Sequence, residues 1–149
     1  MYDRILLPTD GSDHALAAAR RAFDLAEKYG ATVHALYVVD TDTNLLTVSK
    51  SEVRDSLREV GEDAGRQALG AMESLAAEFE VGLVTTLREG TPDEEILVYA
   101  ADENVDLVVM GTHGREGVRR RLVGSVAERV VREATVPVMT VTETDDADP

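Results

Sequence analysis

The stretch of residues 106–128 constrains the fold of this chain more than any other part of the sequence. It opens with an apolar run at residues 107–110, which suits a strand buried on both faces of a parallel sheet, although so short a run also fits a buried helix. The glycine that follows the run favours a strand. A loop with the pattern Gly-x2-Gly-x9-Gly-Ser comes next, formed by Gly111, Gly114, Gly124 and Ser125. Ser125-Val-Ala-Glu128 has the spacing of a capping box, so we expect a helix to begin at Gly124 or Ser125.

This loop has the features of an anion-binding site. Glycines adopt positive φ and let backbone N–H groups approach a ligand without a Cβ in between. The first N–H groups of a helix are unpaired and lie at the positive end of its dipole. The order of strand, glycine loop and helix therefore predicts a phosphate site between residues 111–114 and 124–125. The alternative is that the glycines only form turns and Ser125 only caps the helix.

The same residues argue against two common nucleotide-binding loops. A P-loop needs Gly-x4-Gly-Lys-Ser/Thr, and residues 111–125 contain no lysine. The dinucleotide pattern Gly-x-Gly-x-x-Gly is missing from the first strand-to-helix turn, where Asp10, Gly11 and Ser12 stand instead. A hydride-transferring Rossmann domain is therefore disfavoured.

The loop resembles that of the universal stress protein family, specifically of the members that bind ATP. It reads Gly111-Thr-His-Gly114, then nine residues, then Gly124-Ser125. Three further segments carry the resemblance: Arg4-Ile-Leu-Leu-Pro-Thr-Asp-Gly-Ser12, Leu36-Tyr-Val-Val-Asp40 and Val136-Pro-Val-Met-Thr-Val141. Together they span nearly the whole chain.

Apolar runs alternate with helix signals along the chain and predict five strands and four helices. The strands are expected at residues 4–7, 32–39, 83–88, 107–110 and 137–141, and the helices at 13–29, 50–80, 92–103 and 125–133. Short connections between alternating elements predict an α/β fold with one doubly wound five-stranded parallel sheet and helices on both faces. The family resemblance implies the strand order 3-2-1-4-5. We expect one domain over residues 1–143 and a disordered acidic tail at 144–149.

Capping residues define the expected helix ends. Ser12 should cap the first helix, Gly30 should end it, and capping signals at Ser49 and Thr91 precede the second and third helices. The inward stripe of the first helix is expected at Leu16, Ala19, Phe23 and Ala26. The second helix contains three glycines that weaken it and so predict a kink or close packing against a neighbour: Gly61, Gly65 and Gly70.

The expected strand order brings distant residues into one site. In this order the chain moves outward from strand 1 to strand 3 and then crosses to the other side of strand 1 to form strand 4. Open α/β sheets bind ligands at the carboxyl ends of the two strands between which the winding reverses. The resemblance places a nucleoside near Asp10 and Val38; from the residues alone, Asp10 could equally form an Asx-turn and Val38 could belong to the core. The candidate nucleotide-binding residues are Pro8, Thr9, Asp10, Val38, Met110, Gly111, Thr112, Gly114, Arg115, Gly124, Ser125 and Val126.

The expected cofactor is ATP, with AMP or ADP as alternatives, and a magnesium or manganese ion could arrive with it, held mainly by phosphates and water. The histidines show no metal-ligand spacing and the chain has no cysteine, so we assign no protein-built metal site. No catalytic triad is evident, and the loop has no lysine to stabilise phosphoryl transfer. A fast ATPase or kinase is therefore disfavoured, and no catalytic residue is assigned. His113 could contact phosphate or be an ordinary loop residue.

The charge balance argues against nucleic-acid and membrane partners. The formal net charge is −14, from 29 acidic and 15 basic residues, and such a surface repels DNA, RNA and anionic lipid. The only lysines are Lys28 and Lys50, a composition like that of halophilic archaeal proteins, although an ordinary acidic protein is the alternative. A local basic excess could attract a polyphosphate or pair with surface carboxylates: Arg115, Arg119, Arg120 and Arg121. Because no signal peptide or long apolar run is present, we expect a cytoplasmic protein.

The residues and the resemblance together predict a stress-linked regulatory protein that binds ATP and acts as a homodimer. The last strand, within residues 137–142, would lie at a sheet edge in the family order, where Val138, Met139 and Val141 would form an exposed template for pairing. One alternative is a slow ATP hydrolase or an adenylate-forming enzyme of a related α/β fold. Another is a dimeric scaffold whose nucleotide is incidental. The sequence names neither the stress signal nor a downstream protein partner.

Overall fold

The structure is a computed structural model that describes residues 2–41, 51–112 and 124–142. Strands and helices alternate along the described chain, as the sequence predicts. The elements in chain order are β1 (Arg4–Pro8), α1 (Asp13–Tyr29), β2 (Thr32–Asp40), α2 (Ser51–Ala76), β3 (Gly82–Gly90), α3 (Pro92–Asp102), β4 (Leu107–Gly111), α4 (Ser125–Glu133) and β5 (Val138–Val141). The expected tail at residues 144–149 and the expected cap at Ser49 lie outside the described residues.

The five strands form one parallel sheet in the order β3-β2-β1-β4-β5, which confirms the predicted fold class and strand order. β1 lies at the centre, with Leu6 opposite His34 of β2 and opposite Val108 of β4. Its apolar residues Ile5 and Leu7 are completely buried. A strand buried on both faces is what a continuous apolar run predicts.

Helices cover both faces of the sheet. On one face, α1 and α2 pack on the strands and form a core that includes Phe23 and Met72. On the other face, α3 and α4 form a second core that includes Tyr99 and Val130. None of the helices in the described ranges is long and apolar enough to cross a bilayer.

The ends of α1 form as predicted. The Ser12 hydroxyl accepts a hydrogen bond from the Ala15 N–H at 3.2 Å, and Gly30 ends the helix in the left-handed conformation with its N–H bonded to the Ala26 carbonyl. The predicted inward stripe is wrong in one respect, because Leu16 is only half-buried. The fully buried residues of α1 are mostly alanines, which let the helix lie close to the sheet: Ala15, Ala18, Ala19, Ala22, Phe23 and Ala26.

Several predicted element ends are wrong. α2 stops at Ala76 rather than near residue 80, because Phe79 donates its N–H to the Ala76 carbonyl in a tight turn and folds its ring towards Phe23. β3 runs to Gly90, whose φ of +144° and bond from the Thr41 N–H extend the strand pairing. The N-cap of α3 is Thr91, as predicted, but its side chain makes no capping hydrogen bond.

Two of the three glycines of α2 allow close packing against the sheet. A Cβ added at Gly61 would lie 2.7 Å from Val39 Cγ1, and one added at Gly65 would lie 2.5 Å from Leu87 Cδ1 and 2.8 Å from Tyr37 Cδ1. Nothing lies within 4 Å of a Cβ added at Gly70. Close packing is therefore confirmed for Gly61 and Gly65 and wrong for Gly70.

This difference predicts opposite effects for two alanine substitutions in one helix. Gly65→Ala should lower the free energy of unfolding by roughly 1–3 kcal/mol, because the added methyl group overpacks the core. Gly70→Ala should raise it by up to about 1 kcal/mol, because alanine is the better helix former and meets open space. Urea denaturation of both variants and the wild type measures this. Equal changes of one sign would contradict the packing.

A polar cluster is buried between the sheet and α3. His34 Nδ1 of β2 lies 2.7 Å from the Tyr99 hydroxyl, with which it is hydrogen-bonded, and the Thr86 hydroxyl lies 3.4 Å from the same oxygen. The Arg88 guanidinium stacks over the Tyr99 ring at 4.9 Å. Burial lowers the pKa of His34 below its ordinary 6.5; Arg4 acts in the same direction, and Glu103 opposes both without reversing the shift. The folded protein therefore favours neutral His34.

This shift predicts a loss of stability on mild acidification. His34 takes up a proton near pH 6.5 in the unfolded chain but only at lower pH in the folded protein. The contribution of neutral His34 to the free energy of unfolding is therefore fully present above pH 6.5 and is lost as the pH falls below it. The melting temperature of the wild type should fall between pH 7.5 and pH 5 by more than that of His34→Gln, which keeps a polar side chain but does not titrate. Parallel melting curves for both proteins would show that His34 does not contribute.

Candidate functional site

The carboxyl ends of β1 and β4 lie side by side at the centre of the sheet. The two strands are parallel and paired, so the residues that follow them, Thr9 and Asp10 after β1 and Thr112 after β4, lie along the same edge. The Thr9 N–H donates to the Leu36 carbonyl of β2 at 2.9 Å and ties the end of β1 to the neighbouring strand. This edge is the crevice at which an open α/β sheet binds ligands.

The segment after β1 is a pair of side-chain turns. The Gly11 N–H donates to the Thr9 hydroxyl at 3.1 Å, and the Ser12 N–H donates to Asp10 Oδ1 at 3.0 Å. Gly11 has a φ of +82°, which favours glycine at this position. The Asx-turn considered from the sequence is therefore present, and it holds the Asp10 carboxylate at the start of α1.

The two ends of the glycine motif meet at the end of β4. Thr112 is buried, and its N–H donates to the Val141 carbonyl of β5 at 3.0 Å. The Thr112 carbonyl accepts a hydrogen bond from the Gly124 N–H at the start of α4. Residues that are twelve positions apart in sequence thus lie in direct contact.

Gly111 has a structural role that the sequence does not reveal. A Cβ at this position would lie 2.8 Å from the backbone carbon and oxygen of His14 in α1, which leaves no space for a side chain. This glycine therefore permits close packing of α1 on β4. From the motif pattern alone, the same residue is expected only to contact a ligand.

The first turn of α4 differs from the predicted capping box. Gly124 is the N-cap, with φ −62° and ψ 156°, so Ser125 is the first helical residue and the prediction that Ser125 caps the helix is wrong. A glycine N-cap has no side-chain acceptor, and by helix geometry the N–H groups of residues 125–127 find no carbonyl in their own helix. The exposed Ser125 hydroxyl lies at this end of α4.

Three candidate residues from three different elements belong to one apolar cluster. Met110 at the end of β4 is buried in the second core, and Val38 of β2 and Val126 of α4 pack against that core while keeping part of their surface exposed. Val38 therefore belongs to the edge of the second core and keeps part of its side chain accessible to a ligand. Together these side chains provide an apolar surface beside the helix start.

Some candidate residues cannot be placed. Gly114 and Arg115 lie outside the described residues, as do His113, Arg119, Arg120 and Arg121. Within the described ranges, no group of three or more His, Asp or Glu side chains has an arrangement that could hold a metal ion.

An ion pair with one buried partner lies near this edge and was not predicted from the sequence. Asp93 in the first turn of α3 is 8% exposed, and its Oδ2 lies 3.0 Å from Arg129 Nη1 of α4. Arg129 also bonds Glu133, and Glu133 and Asp93 raise the pKa of the Arg129 guanidinium. The sequence does carry a signal, because Asp93, Ile96 and Ala100 recur at helical spacing and so place the carboxylate on the apolar face.

The sequence model of the Universal stress protein family matches residues 1–142. The chain belongs to the universal stress protein family. Among relatives, Universal stress protein MJ0531 of Methanocaldococcus jannaschii is 39% identical over 141 residues, which cover 95% of this chain and 82% of that protein. The comparison confirms the resemblance drawn from the motif.

Solved structures of universal stress proteins share the fold. UspA from Lactobacillus plantarum is 31% identical, covers 94% of this chain and 97% of its own, and superposes with a TM-score of 0.83. MJ0577 of Methanocaldococcus jannaschii is 28% identical, with coverage of 97% and 99% and a TM-score of 0.87.

Two more distant universal stress proteins have nucleotides bound. The Archaeoglobus fulgidus protein in complex with dAMP is 21% identical, with coverage of 94% and 98% and a TM-score of 0.70. An Arabidopsis thaliana family protein with AMP bound is 18% identical, with coverage of 99% and 95% and a TM-score of 0.72. At these identities the likeness concerns the fold.

Proposed function

We propose that this universal stress protein is a regulatory protein that binds ATP in the crevice at the carboxyl ends of β1 and β4. The observation that carries the proposal is the hydrogen bond from the Gly124 N–H to the Thr112 carbonyl. It brings the start of α4 to the end of β4, beside the turn at Asp10. The first N–H groups of α4, which have no partner within their own helix, and the helix dipole would then face the crevice from which a ligand arrives.

The nucleoside would occupy the apolar side of this crevice. Val38, Met110 and Val126 offer an apolar surface against which an adenine ring can pack. Pro8 ends β1 beside this surface, and Thr9 follows it. Asp10 would accept hydrogen bonds from ribose hydroxyls, a role compatible with its Asx-turn because a carboxylate has about four acceptor positions.

The phosphates would lie at the first turn of α4. Anions are stabilised at helix starts, and the Ser125 hydroxyl adds a donor there. Gly111 and Thr112 would form the floor of this subsite, and the motif adds Gly114 and Arg115. A magnesium or manganese ion would be held mainly by phosphates and water. The AMP and dAMP bound to relatives of the same fold support an adenine nucleotide.

Substitutions at the start of α4 test the site by calorimetric titration. Ser125→Ala should weaken ATP binding about tenfold to a hundredfold, because a hydrogen bond to a charged group contributes about 1.5–3 kcal/mol. Gly124→Val should weaken it further, because a branched side chain would obstruct the approach to the helix start. Neither should change the fold in circular dichroism, since Gly124 has a backbone conformation open to valine.

Thr91→Ala is the matched control, because Thr91 is the N-cap of α3 and its hydroxyl makes no capping bond. It should bind ATP like the wild type. Equal ATP affinity in all four folded proteins would reject the site. Release of phosphate from labelled ATP, measured in the same preparations, separates a regulatory binder from a slow hydrolase.

We further propose that the protein forms a homodimer through the edge strand β5. β5 lies at one end of the sheet, where an unpaired strand offers backbone groups to a second copy. The predicted exposed template needs a correction: Val141 is buried in the first core, Val138 and Met139 are half-buried, and Thr140 is exposed. The three apolar residues are held by the cores on the two faces of the sheet, so pairing would rest on the backbone edge.

An exposed position on β5 therefore tests the dimer without damaging the core. Thr140→Asp should shift the protein from dimer to monomer in sedimentation analysis, because two-fold symmetry places two new like charges at one interface. Val84→Asp on the opposite edge strand β3 adds the same charge at another exposed position and should leave the dimer intact. A monomeric wild type at micromolar concentration would contradict the proposal.

A further inference from the structure

Asp93 stands out among the acidic residues of this chain. Of the Asp and Glu side chains in the described residues, it is the one that is buried. Burying a carboxylate is costly unless it is paired. Two features offset that cost: Asp93 lies in the first turn of α3, at the positive end of the helix, and Arg129 lies 3.0 Å away.

The ion pair joins the first turn of α3 to a point one turn into α4. Both helices begin at the carboxyl edge of the sheet, after β3 and β4 respectively. Oδ2 of Asp93 has no aligned hydrogen-bond donor among the described residues, so the contact with Arg129 is an ion pair at close range. α3 itself is anchored by Ile96 and Tyr99, which are buried in the second core. Asp93 is thus a fixed point for Arg129.

α4 is a short helix that needs such an anchor. It has nine residues, and only Ala127 and Val130 are buried. Its start is held by the hydrogen bond from the Gly124 N–H to Thr112, and its middle by Arg129. The first N–H groups of a helix point along its axis, so a tilt of α4 away from α3 would break the ion pair and direct these groups away from the crevice.

We infer that Asp93 is a positioning residue for the nucleotide site, an inference that rests on the proposed function. Through Arg129 it holds α4 in the orientation that presents the N–H groups of residues 125–127 to the phosphates. Asp93 is not a ligand itself. Its role concerns the phosphate end of the nucleotide and leaves the nucleoside contacts at Asp10 and Val38 unchanged.

The inference predicts a selective loss of affinity. Asp93→Asn removes the carboxylate charge with little change of shape. Arg129→Gln removes the positive charge of its half-exposed partner. Each should weaken ATP binding roughly fivefold, as expected for a partly exposed ion pair, and leave adenosine binding within about twofold. The double variant should bind ATP like either single variant, because both remove one interaction. Glu133→Gln, which removes the other partner of Arg129, is the matched control and should bind both ligands normally.

Hydrogen exchange provides a readout that does not involve a ligand. The Glu128 N–H donates to the Gly124 carbonyl at 2.9 Å in the first turn of α4, and the Leu16 N–H makes the equivalent bond to Ser12 in α1. In Asp93→Asn, exchange at Glu128 should accelerate roughly fivefold while exchange at Leu16 stays constant. Glu133→Gln should change neither.

The outcomes separate this inference from the proposed function. Tighter ATP binding by Asp93→Asn would show that the carboxylate only repels phosphate and would overturn the inference. Equal losses for ATP and adenosine, or unchanged exchange at Glu128, would overturn it as well. If the wild type binds ATP and both single variants bind it as tightly as the wild type does, the positioning role alone is rejected. A wild type that binds no ATP rejects the nucleotide site and the positioning role together.

Discussion

The pairing of β1 with β4 is the constraint on which the rest of the structure depends. β1 is buried by helices on both faces and flanked by β2 and β4, and its continuous apolar run suits this central position in the sheet. Because the chain reaches β2 on one side and β4 on the other, the connections diverge at the carboxyl ends of β1 and β4. That divergence opens the crevice, and every helix in the described chain follows a strand and so begins at the carboxyl edge of the sheet. The position of the proposed site is therefore a consequence of topology.

Close approach between helices and sheet shapes the crevice. Gly111 leaves no space between β4 and the backbone of α1, and Gly65 does the same between α2 and the sheet. The alanines of α1 continue this pattern along the helix. Small residues in these positions let the helices lie close enough to bury most residues of the three central strands, β1, β2 and β4. A glycine of the loop motif can therefore have a structural role as well as a binding role. Gly111 permits the packing of α1 on β4 whether or not a ligand is bound.

The sequence predicted the parts of the fold that depend on local patterns. Element order, the bounds of α1 and α4 and the caps at Ser12 and Gly30 follow from periodicity and from residues next to one another in the chain. The strand order came from the family resemblance, because periodicity does not contain it. Three features escaped prediction, since each depends on distant parts of the chain: the burial of Val141 against α1, the contact of Gly111 with His14 and the ion pair of Asp93 with Arg129. The cap at Ser125 failed for a local reason, because the adjacent Gly124 also fits an N-cap.

The central claim is that ATP binds where the two ends of the glycine motif meet, and amide chemical shifts measured by NMR during titration with ATP test it most directly. The account predicts that the largest changes occur at Thr112, Gly124, Ser125 and Val126, with smaller changes at Asp10 and Val38. Titration with adenosine should move Val38 and Asp10 and leave Ser125 nearly unchanged. The account would be contradicted if saturating ATP left these amides unshifted, or if the largest changes lay at the amino ends of the strands.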